Sequence, residues 1–275
     1  MRAGLLRFAR NRMALFGAAV LLSVLLLVIL SPLLYPGDPF RLAGPPLQPP
    51  GGRFLLGTDT LGRDVAAGIA HGARTSLLIG VSATLAAILF GAVVGGVAGY
   101  HRGWVELVLM RMTEFFQTIP AFVLAILLVA ILSPSIQSEV IAIAAVSWPG
   151  IARLVRGEFV ALGGREFVLA CAGLGASDSR IIFRHLLPNC TSSLIAVGSL
   201  LIATAILLES ALAFLGLGDP NVMSWGLIIS AGRAVLRSAW WVCTFPGIAI
   251  LLTVLAINLV GDGLNEALNP RLRDR

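Results

Sequence analysis

Lysine is absent from this 275-residue chain, because all 20 of its basic residues are arginine. The common phosphate-binding loop, G-x-x-x-x-G-K-[ST], needs a lysine to hold the β- and γ-phosphates of a nucleotide. A lysine is also the residue that forms Schiff bases with carbonyl substrates. The chain therefore has neither a standard nucleotide-binding loop nor Schiff-base chemistry. If its work needs ATP, another chain must bind it.

Charged residues are scarce as well. They make up 12% of the chain, against roughly 25% in an average globular protein. Hydrophobic residues make up 57%, and the mean hydropathy is +0.93. The apolar residues are spread along the whole length, which excludes an ordinary water-soluble enzyme and also a protein with one membrane anchor. The composition predicts an all-α polytopic membrane protein that lies in a lipid membrane.

The sequence shows little sign of a disulfide framework or a metal site. Its three cysteines, at 171, 190 and 243, have no metal-like spacing. The three histidines fall on different predicted segments, so no metal ligands are expected. The net charge of +6 could indicate nucleic-acid binding, but in a membrane protein it is better explained by arginine-rich cytoplasmic loops. No nucleic-acid partner is expected.

Six apolar stretches have the length that a membrane span requires, which is about 20 residues for a hydrocarbon core of about 30 Å. The third of them is expected to begin earlier, near Trp104. The second contains Gly91, Gly95 and Gly99, a spacing that favours a close helix-packing face. The six predicted spans are residues 13–34, 75–100, 115–132, 140–154, 189–217 and 238–261.

Arginine positions predict the orientation of these spans. With the N-terminus inside, fourteen arginines lie in the cytoplasm and six outside, as the positive-inside rule requires. Both termini are then cytoplasmic. We divide the chain into residues 1–74, which hold a cytoplasmic tip, the first span and an external segment, and residues 75–275, a five-helix core with a cytoplasmic loop at about 157–188.

That cytoplasmic loop has the pattern of two short helices. The first is predicted over residues 158–172 and the second over 178–186, where it is ended by Pro188. Glycine suits the end of a helix and serine its start, so the corner lies at residues 173–177. The pair could be a docking element for another protein, or a hairpin that lies on lipid headgroups.

The sequence of this loop resembles the EAA loop of the permeases of ABC importers. Ala170, Gly175, Leu187 and Pro188 fall on the family pattern, whereas Leu169 replaces its glutamate. Cys171 and His185 also depart from the pattern.

The family is identified more closely as the dipeptide, oligopeptide and nickel permeases by segments at 56–65 (LGTDTLGRDV), 209–218 (ESALAFLGLG), 224–226 (SWG), 245–247 (FPG) and 258–264 (NLVGDGL). The sequence RNR before the first span is typical of the DppC/OppC type.

The resemblance implies a type I ABC-importer permease of six transmembrane helices in a bacterial or archaeal cytoplasmic membrane. It implies a homologous second permease of the DppB/OppB type, two ATPase subunits that carry ATP and Mg²⁺, and an external substrate-binding protein. No catalytic residue, cofactor or metal is expected in this chain. The residues expected to couple it to the ATPases are Glu166, Leu169, Ala170, Gly175, Ala176, Ser177, Asp178, Arg180, Leu187 and Pro188.

Two further groups of residues are candidates for roles in transport. Glu209 is the one carboxylate well inside a predicted span, and such a group usually faces a cavity or a partner. With Ser210 and Trp225 it is a candidate for the pathway or its gate. In the external segment Asp59, Arg63 and Asp64 form either a mutual ion pair or a contact with the binding protein.

The sequence leaves the cargo open between peptides and nickel or a metallophore. A different class of protein, an ion-coupled secondary transporter, would use intramembrane carboxylates or histidines. The chain offers one such carboxylate, Glu209, and carries a docking loop that a secondary transporter does not need.

The orientation is testable with single cysteines placed at Arg41 and Arg273, after the native cysteines have been replaced by serine. A membrane-impermeant maleimide added to intact cells should label position 41, because it lies outside. Position 273 should react only after permeabilisation. Labelling of position 273 but not of 41 in intact cells would contradict the arrangement with six spans and the N-terminus inside.

Overall fold

Ten α-helices make up most of residues 8–268, the part of the chain that this computed structural model describes. Their bounds are α1 Arg12–Leu34, α2 Val65–His101, α3 Gly103–Thr118, α4 Ala121–Leu132, α5 Ile136–Gly163, α6 Glu166–Gly173, α7 Asp178–Ile181, α8 Leu187–Phe214, α9 Trp225–Gly232 and α10 Trp241–Leu268.

Five continuous helical stretches are long and apolar enough to cross a membrane: α1, α2, α5, the run from α7 through α8, and α10. The pair α3 and α4, whose axes meet at 86°, makes a sixth span when the two bent helices are taken together. This arrangement confirms the predicted class, an all-α polytopic membrane protein. The sharp bend in the third span was not predicted.

Proline causes that bend. Pro120 has no N–H to donate, and its ring disfavours helical backbone at the preceding residue. Ile119 accordingly has ψ 128° and Pro120 has ψ 125°, both extended values. Helix α3 therefore ends at Thr118 and a new helix begins at Ala121 in a different direction.

Two other spans are longer than predicted. Helix α2 begins at Val65 rather than at 75, because the Asp64 carboxylate accepts the N–H of Ala66 at 2.9 Å and caps the helix. Helix α5 begins at Ile136 rather than at 140, where the Ser135 hydroxyl accepts the N–H of Ser138. Its arginines do not end it, and it continues to Gly163.

The prediction that Pro188 ends the second helix of the cytoplasmic loop is wrong. Helix α7 passes through a π-helical turn, Ile182–Leu186, and continues without a break into α8. Pro188 has no N–H to donate, and it lies two residues beyond this π turn. The wider π turn accommodates the ring.

The predicted glycine face of α2 is confirmed, and its partner is α5. A Cβ atom added at Gly91 would lie 2.7 Å from the carbonyl oxygen of Trp148, and one at Gly99 would lie 2.8 Å from that of Arg156. Between them, Gly95 lies against the backbone of Ala152. The three glycines thus let the two backbones approach closely, as small residues do in membrane helix pairs.

The remaining helices surround this pair. Helix α8 packs on α2 and α10, and α1 lies on the outer side against α10 and α2. The short helix α9 was not predicted as a helix. It packs on α8, α10 and α2, and its first residue, Trp225, belongs to the largest buried apolar cluster together with Val65 of α2 and Trp241 of α10.

A valine at Gly95 should separate α2 from α5, because the new side chain has no room beside Ala152. Overpacking of this kind costs about 1–3 kcal/mol. We expect the thermal unfolding midpoint of Gly95→Val in detergent, followed by tryptophan fluorescence, to fall below that of the wild type. The matched control is Gly150→Val in α5, since no atom lies within 4 Å of a Cβ there. Equal losses in both variants would contradict the close contact.

Candidate functional site

The cytoplasmic loop forms a tight corner between α6 and α7. The predicted single helix over 158–172 is wrong, because α5 ends at Gly163 and α6 begins only at Glu166. After α6, Gly175 has φ +78°, a left-handed backbone that glycine adopts without steric cost. Ser177 then precedes α7, with Asp178 in its first turn.

The corner is anchored to the membrane helices by buried apolar side chains. Val168 of α6 and Ile181 of α7 share a cluster with Phe159 of α5 and Cys190 of α8. The hydroxyl of Tyr100, at the end of α2, donates to the Asp178 carboxylate at 2.6 Å. The loop is therefore tied to three of the spanning helices.

The corner exposes several large apolar side chains. Leu174 is 89% exposed and Phe183 is 69% exposed, and Leu169 and Phe167 are exposed beside them. Most of the predicted coupling residues are exposed. Glu166, Leu169, Ala170, Gly175, Ser177, Asp178, Arg180 and Pro188 are exposed, and Ala176 and Leu187 are half-buried.

On the opposite side of the molecule, the predicted ion pair among Asp59, Arg63 and Asp64 is contradicted. The Asp59 carboxylate accepts the backbone N–H groups of Leu61 and Arg63, both at 2.8 Å, while Asp64 caps α2. The guanidinium of Arg63 lies 4.8 Å from the ring centroid of Phe40. Both carboxylates accept backbone N–H groups of the turn, and the ion pairs of the described residues do not include Arg63.

The external segment is held to the helices by tryptophan. The indole N–H of Trp241 in α10 donates to the carbonyl of Thr58 at 3.1 Å. The indole N–H of Trp225 in α9 donates in the same way to the carbonyl of Ile69 in α2, at 3.0 Å. The first bond connects the external segment to α10, and the second connects α2 to α9.

A contact between α2 and the residue that follows α1 holds the start of the external segment. Nε2 of His71 in α2 lies 3.0 Å from the carbonyl oxygen of Tyr35, which directly follows α1. Burial raises the pKa of the Tyr35 phenol, and the negative charge of Asp64 adds to the shift.

The candidate gate residue Glu209 is fully buried, with 1% of its surface exposed. Its Oε2 accepts hydrogen bonds from the hydroxyls of Ser76 in α2 and of Ser210, each at 3.1 Å. The Ser76 oxygen also accepts the backbone N–H of Trp225 at 3.3 Å. The structure thus brings Glu209, Ser210 and Trp225 together at the junction of α2, α8 and α9.

A second buried carboxylate, Glu139, was missed in the sequence. It is 1% exposed, and its Oε1 accepts the backbone N–H of Asp219 at 3.1 Å. The sequence did carry a signal for it, because Ser135 is a good helix N-cap and places Glu139 in the first turn of α5. Glu209 is therefore not the only carboxylate inside the spans.

A helical bundle with five or six apolar helices long enough to span a membrane defines a multi-pass membrane protein. Residues 87–274 match the family described as the binding-protein-dependent transport system inner membrane component. Residues 2–50 match the N-terminal transmembrane domain of oligopeptide transport permease C. The chain belongs to this family of inner membrane permeases, as its sequence predicts, and it is a transport component rather than an enzyme.

Curated relatives span nearly the whole chain. A di/tripeptide transport system permease protein, DppC, from Pseudomonas aeruginosa is 42% identical over 275 residues, covering 97% of this chain and 91% of the relative. A dipeptide transport system permease protein, DppC, from Alkalihalophilus pseudofirmus is 40% identical over 267 residues, covering 96% and 88%. This decides for an ABC-importer permease against a secondary transporter.

A solved structure supports the same fold. The methionine ABC transporter MetNI, in inward-facing conformations, matches with a TM-score of 0.62 at 18% identity. The match covers 74% of this chain and 96% of the transporter chain. It establishes the type I importer permease fold for most of the molecule.

Replacing Trp241 by phenylalanine should loosen the external segment. The change removes the indole N–H and leaves the Thr58 carbonyl without that donor, which costs about 1–3 kcal/mol. We expect faster tryptic cleavage after Arg53 in Trp241→Phe. Trp240→Phe is the matched control, because Trp240 is half exposed. Equal cleavage rates in the two variants would contradict an anchoring role for the Trp241 hydrogen bond.

Proposed function

We propose that this chain is one of the two permease subunits of an ATP-driven importer of di- or oligopeptides and forms half of its translocation pathway. The observation that carries the coupling mechanism is the anchored cytoplasmic corner at Gly175, with its exposed apolar face. The peptide cargo is inferred from the relatives named for dipeptide and di/tripeptide transport.

The partners follow from this assignment. A homologous permease of the DppB/OppB type forms the other half of the pathway, and an external binding protein delivers the peptide. Two ATPase subunits, which carry ATP and Mg²⁺, dock on the cytoplasmic corners of the two permeases. The exposed side chains of Leu169, Leu174 and Phe183 offer an apolar contact, and Glu166 lies one turn before Leu169, where it partly supplies the missing glutamate of the EAA pattern.

The helix that follows the corner transmits the motion. The run from Asp178 to Phe214 is 37 residues without a break, which at 1.5 Å per residue is about 55 Å. One end lies at the docking corner, and Glu209 lies near the other. A displacement of the corner by the ATPases therefore moves the junction of α2, α8 and α9 on the far side. Alternating access needs such a connection between two discrete arrangements.

Glu209, Ser210 and Trp225 belong to the external gate in this mechanism. Their hydrogen bonds join α8 to α2 and α9, so separation of these helices requires that the bonds break. Asp59 and Asp64 shape the external segment through backbone hydrogen bonds. Arg63, whose guanidinium covers Phe40, is the member of that group whose charge remains for the binding protein.

In this proposal both termini lie in the cytoplasm of a bacterial or archaeal cell, and the external segment lies outside. The predicted cytoplasmic arginines at 2, 7, 271, 273 and 275 lie outside the described residues. With this orientation the corner at Gly175 faces the ATPases, and the buried carboxylates Glu139 and Glu209 lie toward the external surface.

Purification of the complete complex tests the cargo. The complex should be reconstituted with its binding protein, and ATP hydrolysis measured with dipeptides, longer peptides and nickel salts in turn. Stimulation by peptides alone is the expected result. Stimulation by nickel and not by any peptide would contradict the peptide assignment while leaving the permease assignment in place.

Gly175→Arg should abolish coupled transport although the protein still inserts into the membrane. A left-handed backbone costs a non-glycine residue about 1–2 kcal/mol, and the new side chain displaces the docking face. We expect the amount of co-purified ATPase to fall by roughly tenfold, the factor that about 1.4 kcal/mol gives. Glu166→Ala should have a smaller effect.

The control is Gly164→Arg, which adds the same side chain to the same loop. Gly164 has φ −85° and no atom within 4 Å of a Cβ, so this variant should keep its ATPase subunits. If Gly175→Arg binds the ATPases and transports like the wild type, the corner is not the docking element.

A further inference from the structure

Two helical stretches of equal length lie side by side in the bundle. Helix α2 has 37 residues, and the run from Asp178 through α8 also has 37. The two stretches pack on each other. Side-chain hydrogen bonds join them at two places, one near the cytoplasmic corner and one on the opposite side of the bundle.

The bond near the corner is short. The hydroxyl of Tyr100, the next-to-last residue of α2, donates to the carboxylate of Asp178, the first residue of α7, at 2.6 Å. This length is typical of an O–H group that donates to a carboxylate, and such bonds are about twice as strong as neutral ones. The ring of Tyr100 packs against the buried cluster that contains Phe159 and Ile181. The ring is therefore held in place independently of its hydroxyl.

The second bond joins the same two helices far from the first. The hydroxyl of Ser76 in α2 donates to Oε2 of Glu209 in α8 at 3.1 Å. At 1.5 Å per residue, Ser76 and Tyr100 are about 36 Å apart along α2. A single connection would leave the two helices free to pivot about it. Two connections at this separation fix their relative position, because the helices cannot slide or tilt unless one bond breaks.

The bond from Tyr100 also gives α7 an attachment that avoids an irregular turn. Between α7 and α8 the chain passes through the π-helical turn Ile182–Leu186, where the regular hydrogen-bond pattern of an α-helix is interrupted. The bond at Asp178 connects α7 directly to α2, which is regular over its whole length. Helix α2 in turn lies backbone to backbone against α5 at Gly95. A displacement of α7 therefore reaches α2 and α5 without crossing the π turn.

We infer that Tyr100 is a positioning residue for energy coupling, which makes α2 move together with α7 and α8 when the ATPase subunits displace the corner. This role rests on the proposed function, in which the ATPases dock at the corner. Because α2 and α8 keep their relative position, the displacement reaches Ser76 and Glu209 together. Peptide transport is then tied to ATP hydrolysis through two helices rather than through α8 alone.

Tyr100→Phe in the reconstituted complex tests this role, because it removes the hydroxyl and keeps the packed ring. The ATPase subunits should still co-purify, since the exposed side chains of Leu174 and Phe183 are unchanged. The amount of peptide transported per ATP hydrolysed should fall by about three- to tenfold, the factor that the net free energy of one hydrogen bond gives. The matched control is Tyr35→Phe, which changes the other tyrosine of the chain and leaves its carbonyl contact with His71 in place.

A double-mutant cycle with Asp178→Asn tests whether the two residues act through each other. The asparagine side chain still offers an oxygen acceptor but no charge, so this variant should lose less transport per ATP than Tyr100→Phe. The double variant should behave like Tyr100→Phe alone, because residues that act through one shared bond do not have additive effects. Losses that multiply in the double variant would mean that the two residues act independently, and would overturn the inference.

Hydrogen exchange on the full chain in lipid nanodiscs tests the attachment without the partner subunits. Backbone amides of residues 173–181 should exchange faster in Tyr100→Phe than in the wild type, because the corner has lost one connection to the bundle. In Tyr35→Phe the exchange of this segment should match the wild type. Equal exchange rates in the wild type and Tyr100→Phe would overturn the attachment of α7 to α2.

Two results in the complex would overturn the positioning role. One is transport per ATP in Tyr100→Phe equal to that of the wild type. The other is loss of the ATPase subunits to the extent expected for Gly175→Arg, since Tyr100 would then hold the docking surface and not transmit its motion. Failure of the proposed function is distinguishable from both, because a wild-type complex that does not assemble, or whose ATP hydrolysis ignores peptides, contradicts the importer assignment. The hydrogen-exchange result is independent of that outcome.

Discussion

The close contact of α2 with α5 is the constraint on which the rest of the structure depends. Gly91, Gly95 and Gly99 leave no side chain between the two backbones, so the helices meet more closely than larger residues allow. Helix α2 carries Ser76, which joins Glu209, and Tyr100, which holds the cytoplasmic corner. Glu139 lies in the first turn of α5. A shift between these two helices would therefore alter both sides of the membrane together.

Polar side chains connect the helices at both ends of the bundle. At the end of the bundle that carries Gly175, buried apolar side chains and the hydrogen bond from Tyr100 to Asp178 hold the corner in place. On the external side, tryptophan N–H groups and buried carboxyls join segments that are distant in sequence. The continuous helix from Asp178 to Phe214 connects the two sides. A permease that alternates between two arrangements needs helices that move as rigid units and hydrogen bonds that can break when they move.

Several misjudged boundaries share one physical cause, which is that capping and proline effects depend on details of local geometry. Pro120 separates two helices whose axes meet at 86°, whereas Pro188 lies within a continuous helix, just after a π-helical turn. The same residue type therefore gave opposite results. The mutual ion pair that was one alternative for Asp59, Arg63 and Asp64 also depends on local geometry, because the carboxylates accept backbone N–H groups of the turn and the guanidinium of Arg63 lies over the ring of Phe40.

The sequence by itself determined the class of protein and the place of the corner at Gly175, since these follow from hydrophobic length and glycine position. It also identified Glu209 as an unusual buried acid. Only the tertiary structure decided that α5 fills the glycine face of α2, that Glu139 is buried on the same side as Glu209, and that Trp241 holds the external segment. Those facts depend on contacts between residues far apart in the chain, and a pattern along one sequence does not specify which helices meet.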